Sequence, residues 1–146
     1  MQRDFEYIQA TPADAGEISE LYTEYFETKL SNKRISDLLK LWPSVKVCVE
    51  GKIVAFCYCE RFSPDIFRIS NIYVSGGYRS KDIGTGMLAF VLKQAASRGF
   101  THALASNSDL YGTKEKKTDP HLFYTKNGFR LAFKTESTKV FVKEMT

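Results

Sequence analysis

The chain predicts an α/β fold (α+β in layout): one domain over residues 1–146, with a mixed, mostly antiparallel sheet of six to seven strands flanked by about four helices. Three observations carry that expectation. A length of 146 residues suits one hydrophobic core of average size. Hydrophobic residues at 43% and aromatics at 14% supply core material that a disordered chain lacks. The apolar period switches between two and about 3.6 in the order strand, two helices, three strands, helix, strand, helix, two strands.

Phe5 to Ala10 alternates apolar and polar residues and reads as the first strand. Thr11-Pro12-Ala13-Asp14 then opens a helix, with Thr11 as N-cap, proline at the first helical position and an acid three residues after the cap. Ile18, Leu21, Tyr22 and Tyr25 form its buried stripe, while Glu17, Glu20, Glu24 and Glu27 read as a solvated outer face. A second helix, near Asn32 to Leu41, carries Ile35, Leu38, Leu39 and Trp42 and stops before Pro43. Val45 to Val49 and Lys52 to Glu60 read as strands joined at Glu50-Gly51, and Ile66 to Val74 follows the Ser63-Pro64-Asp65 turn. A helix from about Gly84 to Arg98 buries Met87, Leu88, Val91, Leu92 and Ala95 and ends at Gly99. Thr101 to Ser106 is a strand and Asn107 to Thr118 a long polar loop. A short helix capped by Asp119-Pro120 ends at Gly128, and Phe129 to Lys134 and Lys139 to Lys143 close the sheet. The meander followed by crossover helices implies helices on both faces of the sheet.

Composition excludes several classes. Nine Gly and four Pro are too few for a collagen-like or linker-like chain. No apolar run approaches the ~20 residues of a membrane span, and Met1 to Glu6 holds no apolar signal core. The net charge of +4 is scattered and lacks the dense basic stripe of a nucleic-acid binder. These features predict a soluble cytoplasmic protein with neither membrane nor nucleic-acid partners. Cys48, Cys57 and Cys59, with His102 and His121, show no metal-ligand spacing, so no metal is expected. Cys57 and Cys59 point the same way from one strand, which suits buried free thiols.

The most informative stretch runs from Val74 through Ser75-Gly76-Gly77-Tyr78-Arg79-Ser80-Lys81-Asp82-Ile83-Gly84-Thr85-Gly86 to Met87. A strand, a turn of small and basic residues and a helix with an unencumbered first turn bring backbone N–H groups together at a positive helix end. Arg79 and Lys81 add to that field, so a pyrophosphate is the natural guest; the plain alternative is a turn whose glycines serve packing. A Walker A loop fails, because Gly84 is followed by Thr85 where GxxxxGKS/T needs lysine. Gly84-Thr85-Gly86-Met87-Leu88-Ala89 does match GxGxxG/A, with Asp109 further on, but a dinucleotide fingerprint needs the glycines directly after the strand.

These residues resemble the GNAT superfamily of acetyl-coenzyme A dependent N-acyltransferases. Its Q/R-x-x-G-x-G/A signature is met at Arg79 and Gly84, with Asp82 in place of the middle glycine. His121-Leu122-Phe123-Tyr124-Thr125-Lys126-Asn127-Gly128-Phe129 is similar to the HxFYxxxGF segment of the last helix, and Asn107 to the asparagine that often precedes it. The similarity covers nearly the whole chain, with Tyr111 to Lys117 as an insertion.

The resemblance implies acetyl-coenzyme A as cofactor and acetyl transfer to a primary amine by direct attack in a ternary complex. The pantetheine arm would lie along Ile72, Tyr73 and Val74, whose backbone polarises the acyl carbonyl. Arg79, Ser80, Lys81, Asp82, Ile83, Gly84, Thr85 and Gly86 would grip the diphosphate, with Asn107 and Tyr124 lining the arm. Tyr124 takes the position of the general acid; a phenol of pKa near 10 is protonated at neutral pH. The strand offers no carboxylate as base, since Arg68, Ser70, Asn71 and Tyr73 stand there. Water held by Asn71 or Tyr73 is one substitute, and Glu60, Asp65 or Asp109 another. The acceptor would be a small-molecule or protein amine, and the protein a monomer or homodimer. Competing readings are a member that binds coenzyme A or a protein partner without catalysis, and a dinucleotide-dependent oxidoreductase.

Overall fold

The computed structural model describes residues 5–24, 30–108 and 121–145. Strands β1 (Tyr7–Ile8), β2 (Ser44–Val49), β3 (Lys52–Arg61), β4 (Ile66–Val74), β5 (His102–Ser108), β6 (Arg130–Lys134) and β7 (Thr138–Glu144) form one seven-stranded sheet in the order β1-β2-β3-β4-β5-β7-β6. Every neighbouring pair is antiparallel except β4 and β5. Helices α1 (Ala15–Tyr22), α2 (Asn32–Leu41), α3 (Ile83–Ser97) and α4 (His121–Lys126) complete the fold. The mixed, mostly antiparallel sheet with four helices is as the sequence predicts.

Local chemistry sets these boundaries. Before α1, the Asp14 carboxylate accepts the Thr11 N–H at 2.8 Å and pairs with Lys46 of β2 at 2.9 Å. Ser31 accepts the Arg34 N–H at 3.3 Å and starts α2, which ends at Trp42 because Pro43 cannot continue it. Glu50 and Gly51 take φ of 52° and 77°, the left-handed pair that a tight hairpin turn requires. Strand β1 is shorter than the alternation of Phe5 to Ala10 predicts: only Tyr7 and Ile8 pair, with Val47 and Lys46.

Two apolar cores hold the layers together. On one face of the sheet, α3 and α4 bury Met87, Leu88, Val91 and Tyr124 against Val45, Cys57, Cys59, Phe67 and Phe141. On the other, α1 and α2 bury Ile18, Leu21, Ile35 and Leu39 against Phe56, Tyr58 and Tyr73. Each fully buried large side chain contributes about 1.5–3 kcal/mol. Cys57 and Cys59 are buried free thiols. Among the described residues, no helix is long and apolar enough to cross a membrane.

The described glutamates of this face, Glu17, Glu20 and Glu24, are exposed as the solvated-face reading expects, and two of them also reach the sheet. Glu17 accepts the Ile53 N–H at 2.6 Å, and Glu24, just past the helix, reaches across to β4. Glu20 is exposed as expected, and Tyr25 and Glu27 lie outside the described residues.

Candidate active site

Strand β4 follows β3 along its whole length but meets β5 only at Ile66, Phe67 and Arg68. From Ile69 to Val74 its second edge has no strand partner among the described residues, and backbone groups on such an edge seek hydrogen bonds. A bulge marks the point of divergence. Tyr58 pairs with Asn71 and Cys59 with Ile69, so Ser70 has no residue opposite it. The Ser70 hydroxyl is buried there with no hydrogen-bond partner among the described residues.

The far end of β4 leads to the N-terminus of α3. Asp82 occupies the N-cap position, yet its side chain caps nothing, because it adopts the left-handed conformation with φ of 61° rather than the extended one that lets a carboxylate reach back. The first intrahelical bond of the turn runs from Gly86 N–H to Asp82 C=O at 3.1 Å. The N–H groups of Ile83, Gly84 and Thr85 therefore lack helical acceptors, which is the arrangement that receives an anion. Asp82 fills the conformational role that glycine has in the signature, and its charge instead reaches Tyr7, whose phenol is raised by burial and then by Asp82.

The glycines of α3 also serve packing. A Cβ on Gly84 would lie 3.1 Å from the Phe123 ring, and one on Gly86 would run into Tyr7. Arg79 behaves differently from the expectation that it adds to the anion field. Its guanidinium turns back onto β4: Nε donates to the Val74 carbonyl at 3.0 Å, and the group stacks 5.5 Å from the Tyr73 ring centre. It fastens the loop to the strand. Ser80 adopts φ of 63°, and both Ser80 and Lys81 are exposed.

Tyr124 projects from α4 into the apolar face. Its ring lies 5.1 Å from Phe141 and 5.3 Å from Phe129, and 5% of the residue is exposed. Burial pushes its phenol above the ordinary range, with Cys57 and Cys59 adding to the rise. Cys57, which pairs with Ile72, and Cys59 share the α3 and α4 core with Tyr124. His121 packs edge-on against Phe141 at 5.7 Å, a supporting place on α4.

The opposite side of β4 is polar. Asn71 donates its amide to the Tyr58 hydroxyl at 2.7 Å. Burial pushes the Tyr58 phenol up to about 12. Tyr73 and Ser75 both donate to Glu24 Oε1, at 3.2 and 2.9 Å. Tyr73 is likewise pushed up to about 12, first by burial and then by the Glu24 charge. The other carboxylates considered as bases are engaged: Glu60 pairs with Arg34 at 3.0 Å and Arg68 at 3.2 Å, and Asp65 is bonded within the β3–β4 turn.

Asn71, Ile72, Tyr73 and Val74 thus lie on the length of β4 that pairs with no described strand on its second edge, residues 79–86 lead from its end into α3, and Tyr124 lies in the apolar core on the α3 and α4 side. Asn107 lies on β5 opposite Lys139, its side chain outside the description. Asp109, Tyr111 to Lys117 and the Asp119-Pro120 cap lie outside the described residues. Sequence reasoning missed Glu24, because helical periodicity shows which way a side chain faces and not which strand it meets.

Comparison with known proteins meets this geometry. The family model of the acetyltransferase (GNAT) domain matches residues 43–131, and the chain belongs to that family. Acetyl-coenzyme A is the cofactor of the family. No curated protein sequence matches the chain. The fold is shared with ribosomal-protein-S18-alanine N-acetyltransferase from Escherichia coli, at TM-score 0.78 and 14% identity over 98% of this chain and 95% of that one. It is shared equally with the PaiA N-acetyltransferase of Thermoplasma acidophilum in complex with coenzyme A, at TM-score 0.78 and 13% identity over 98% of this chain and 100% of that one. A third solved structure, N-acetylglutamate synthase from Neisseria gonorrhoeae with coenzyme A and N-acetyl-glutamate, gives TM-score 0.77 and 14% identity over 100% of this chain and 36% of that one.

Proposed function

We propose that the protein transfers an acetyl group from acetyl-coenzyme A to a primary amine of a small molecule or protein, by direct attack within a ternary complex. The observation that carries this reading is the edge of β4 that pairs with no described strand and leads into the uncapped end of α3, on the side of the sheet whose core holds Tyr124. The described residues fit the cofactor: three unaccepted amides and a buried unpartnered hydroxyl at Ser70 await polar partners. When bound, acetyl-coenzyme A supplies an acyl group activated as a thioester.

The chain's own residues then divide the work. Amides of Ile83, Gly84 and Thr85 hold negative charge at the α3 terminus, supported by the helix dipole. Backbone donors from Ile72 to Val74 polarise a carbonyl laid along them, and one preorganised donor contributes about 3 kcal/mol. Tyr124 keeps its proton at neutral pH because burial disfavours the phenolate, so it serves as general acid toward a leaving thiolate. Asn71 is held by Tyr58 on the α1 and α2 side and fixes that stretch of β4.

The competing reading is a member that binds coenzyme A without catalysis, favoured by Asp82 at the signature glycine and by the lack of a carboxylate on β4. Calorimetric titration with acetyl-coenzyme A followed by thiol release with polyamines, aminoglycosides, amino acids and peptides separates the two. Binding with amine-dependent release supports the enzyme; binding with no release supports the silent member; no binding removes both.

A further inference from the structure

We propose that Asn127, just past the end of α4, is a positioning residue for the diphosphate of coenzyme A: it holds the Thr85 hydroxyl so that its proton joins the free amides of the first turn of α3. The inference rests on the acetyl-transfer reading above and deepens it by naming a side-chain donor and the residue that sets its direction.

The neighbours of Asn127 fix its orientation. Its Nδ2 donates to the Phe123 carbonyl at 2.7 Å and to Thr85 Oγ1 at 3.4 Å. A backbone carbonyl only accepts, so the NH2 end of the side chain must face it, and the second hydrogen of that group goes to Thr85. The backbone of Asn127 is held as well. Lys143 Nζ of β7 donates to its carbonyl at 2.9 Å, and its own N–H reaches the Tyr124 carbonyl at 3.1 Å. Thr85 Oγ1 therefore accepts from α4 and keeps its own proton for another partner.

Among the described residues that proton has no acceptor. Threonines in and just after helices commonly donate back to a carbonyl three or four residues earlier. Thr125 does so to His121 at 2.9 Å and Thr23 to Glu20 at 2.6 Å. Thr85 makes no such bond, since four residues before it stands Lys81, outside α3. Helical Cα–Cβ bonds tilt toward the N-terminus, so the hydroxyl is carried toward the end where the Ile83, Gly84 and Thr85 amides lack acceptors. Phe123 of α4 packs on the neighbouring Gly84, 3.1 Å from where a Cβ would stand. The segment that carries Tyr124 thus meets the first turn of α3 at two successive residues. An anion seated at that turn receives a fourth donor, and drawing the proton outward makes Oγ1 a better acceptor, which tightens its contact with Asn127.

Wild type, Thr85→Val, Thr85→Ser, Asn127→Ala and the double variant of Thr85→Val with Asn127→Ala are titrated calorimetrically with coenzyme A, beside urea unfolding of each. Thr85→Val is expected to weaken binding roughly ten- to a hundredfold, the size of one hydrogen bond to a charged group, while Thr85→Ser recovers most of the loss. Asn127→Ala should weaken it about three- to tenfold, and should add nothing in the Thr85→Val background. Where Asn127→Ala fails to fold, Asn127→Asp takes its place: the carboxylate keeps the shape but turns the Thr85 proton toward α4, so its loss should be larger with Thr85 present than with Thr85→Val. Losses that multiply in the double variant, or single variants that bind coenzyme A like wild type, overturn the inference. Lower stability of Asn127→Ala with unchanged affinity likewise overturns it and assigns the side chain to the end of α4 alone. A wild type that fails to bind coenzyme A overturns the acetyl-transfer reading itself.

Discussion

On the α3 and α4 side of β4, Phe67, Ile69, Ile72 and Val74 meet an apolar core that also holds Tyr124. On the α1 and α2 side, Arg68, Asn71 and Tyr73 are each tied to a partner from another element, Glu60, Tyr58 and Glu24 respectively. The same strand, its alternation offset by one residue at the Ser70 bulge, is thus dry on one face and hydrogen-bonded on the other. The difference bears on the proposed chemistry: burial on the dry face favours the protonated Tyr124 phenol, and the wet face ties β4 to β3 and Glu24.

The strongest way to break this division is Tyr124→Phe. The phenyl ring keeps the contacts with Phe129 and Phe141, so stability and acetyl-coenzyme A affinity should hold while turnover falls roughly ten- to a thousandfold. Steady-state kinetics beside a calorimetric titration checks it; unchanged turnover would assign Tyr124 to packing alone. On the wet face, Asn71→Ala strands the buried Tyr58 hydroxyl and should cost about 1–3 kcal/mol in urea unfolding. Adding Tyr58→Phe removes both partners and should restore most of that loss; a double variant as weak as the single one contradicts the pairing.

The tyrosines also give a pH signature. Tyr58 and Tyr73 are pushed up to about 12 and Tyr124 is raised as well, so the folded protein keeps protons that an unfolded chain releases near pH 10. Stability is accordingly complete below about pH 10 and falls as pH rises through about 12. Thermal unfolding across that window should show a steep drop in Tm, shallower in Tyr58→Phe; parallel curves would remove Tyr58 from the explanation. The smallest effect is expected at Asp82, a non-glycine residue at φ of 61°. Asp82→Gly should relieve strain by about 0.5–1 kcal/mol, offset in part by the extra freedom of glycine when unfolded. Removing its carboxylate should also tighten acetyl-coenzyme A severalfold, and weaker binding would show that Asp82 assists.

Much of this was legible in the sequence because the signals were local. The span Ile66–Val74 and the helix Asn32–Leu41 lie where alternation, capping by Ser31 and the stop at Pro43 put them. The turn from Arg79 to Gly86 and the phenol at Tyr124 stood out by spacing. What stayed hidden depends on residues far apart in the chain. The parting of β4 from β5 is a matter of register between strands separated by α3, which no local pattern encodes and only the family resemblance implies. Glu24 is exposed like Glu20, as the sequence reading expects, but its bonds to Tyr73 and Ser75 join residues about fifty positions apart. Arg79 was legible as a charge, but its direction, back toward Val74, was not.

The account stands or falls on where the cofactor settles, and amide chemical shifts recorded while coenzyme A is added to the labelled protein report this residue by residue. Ile83, Gly84 and Thr85 should move most, followed by Ile72 to Val74, with β6 and the β3–β4 turn still. Shifts confined to other elements, or no shifts at saturating coenzyme A, would contradict it.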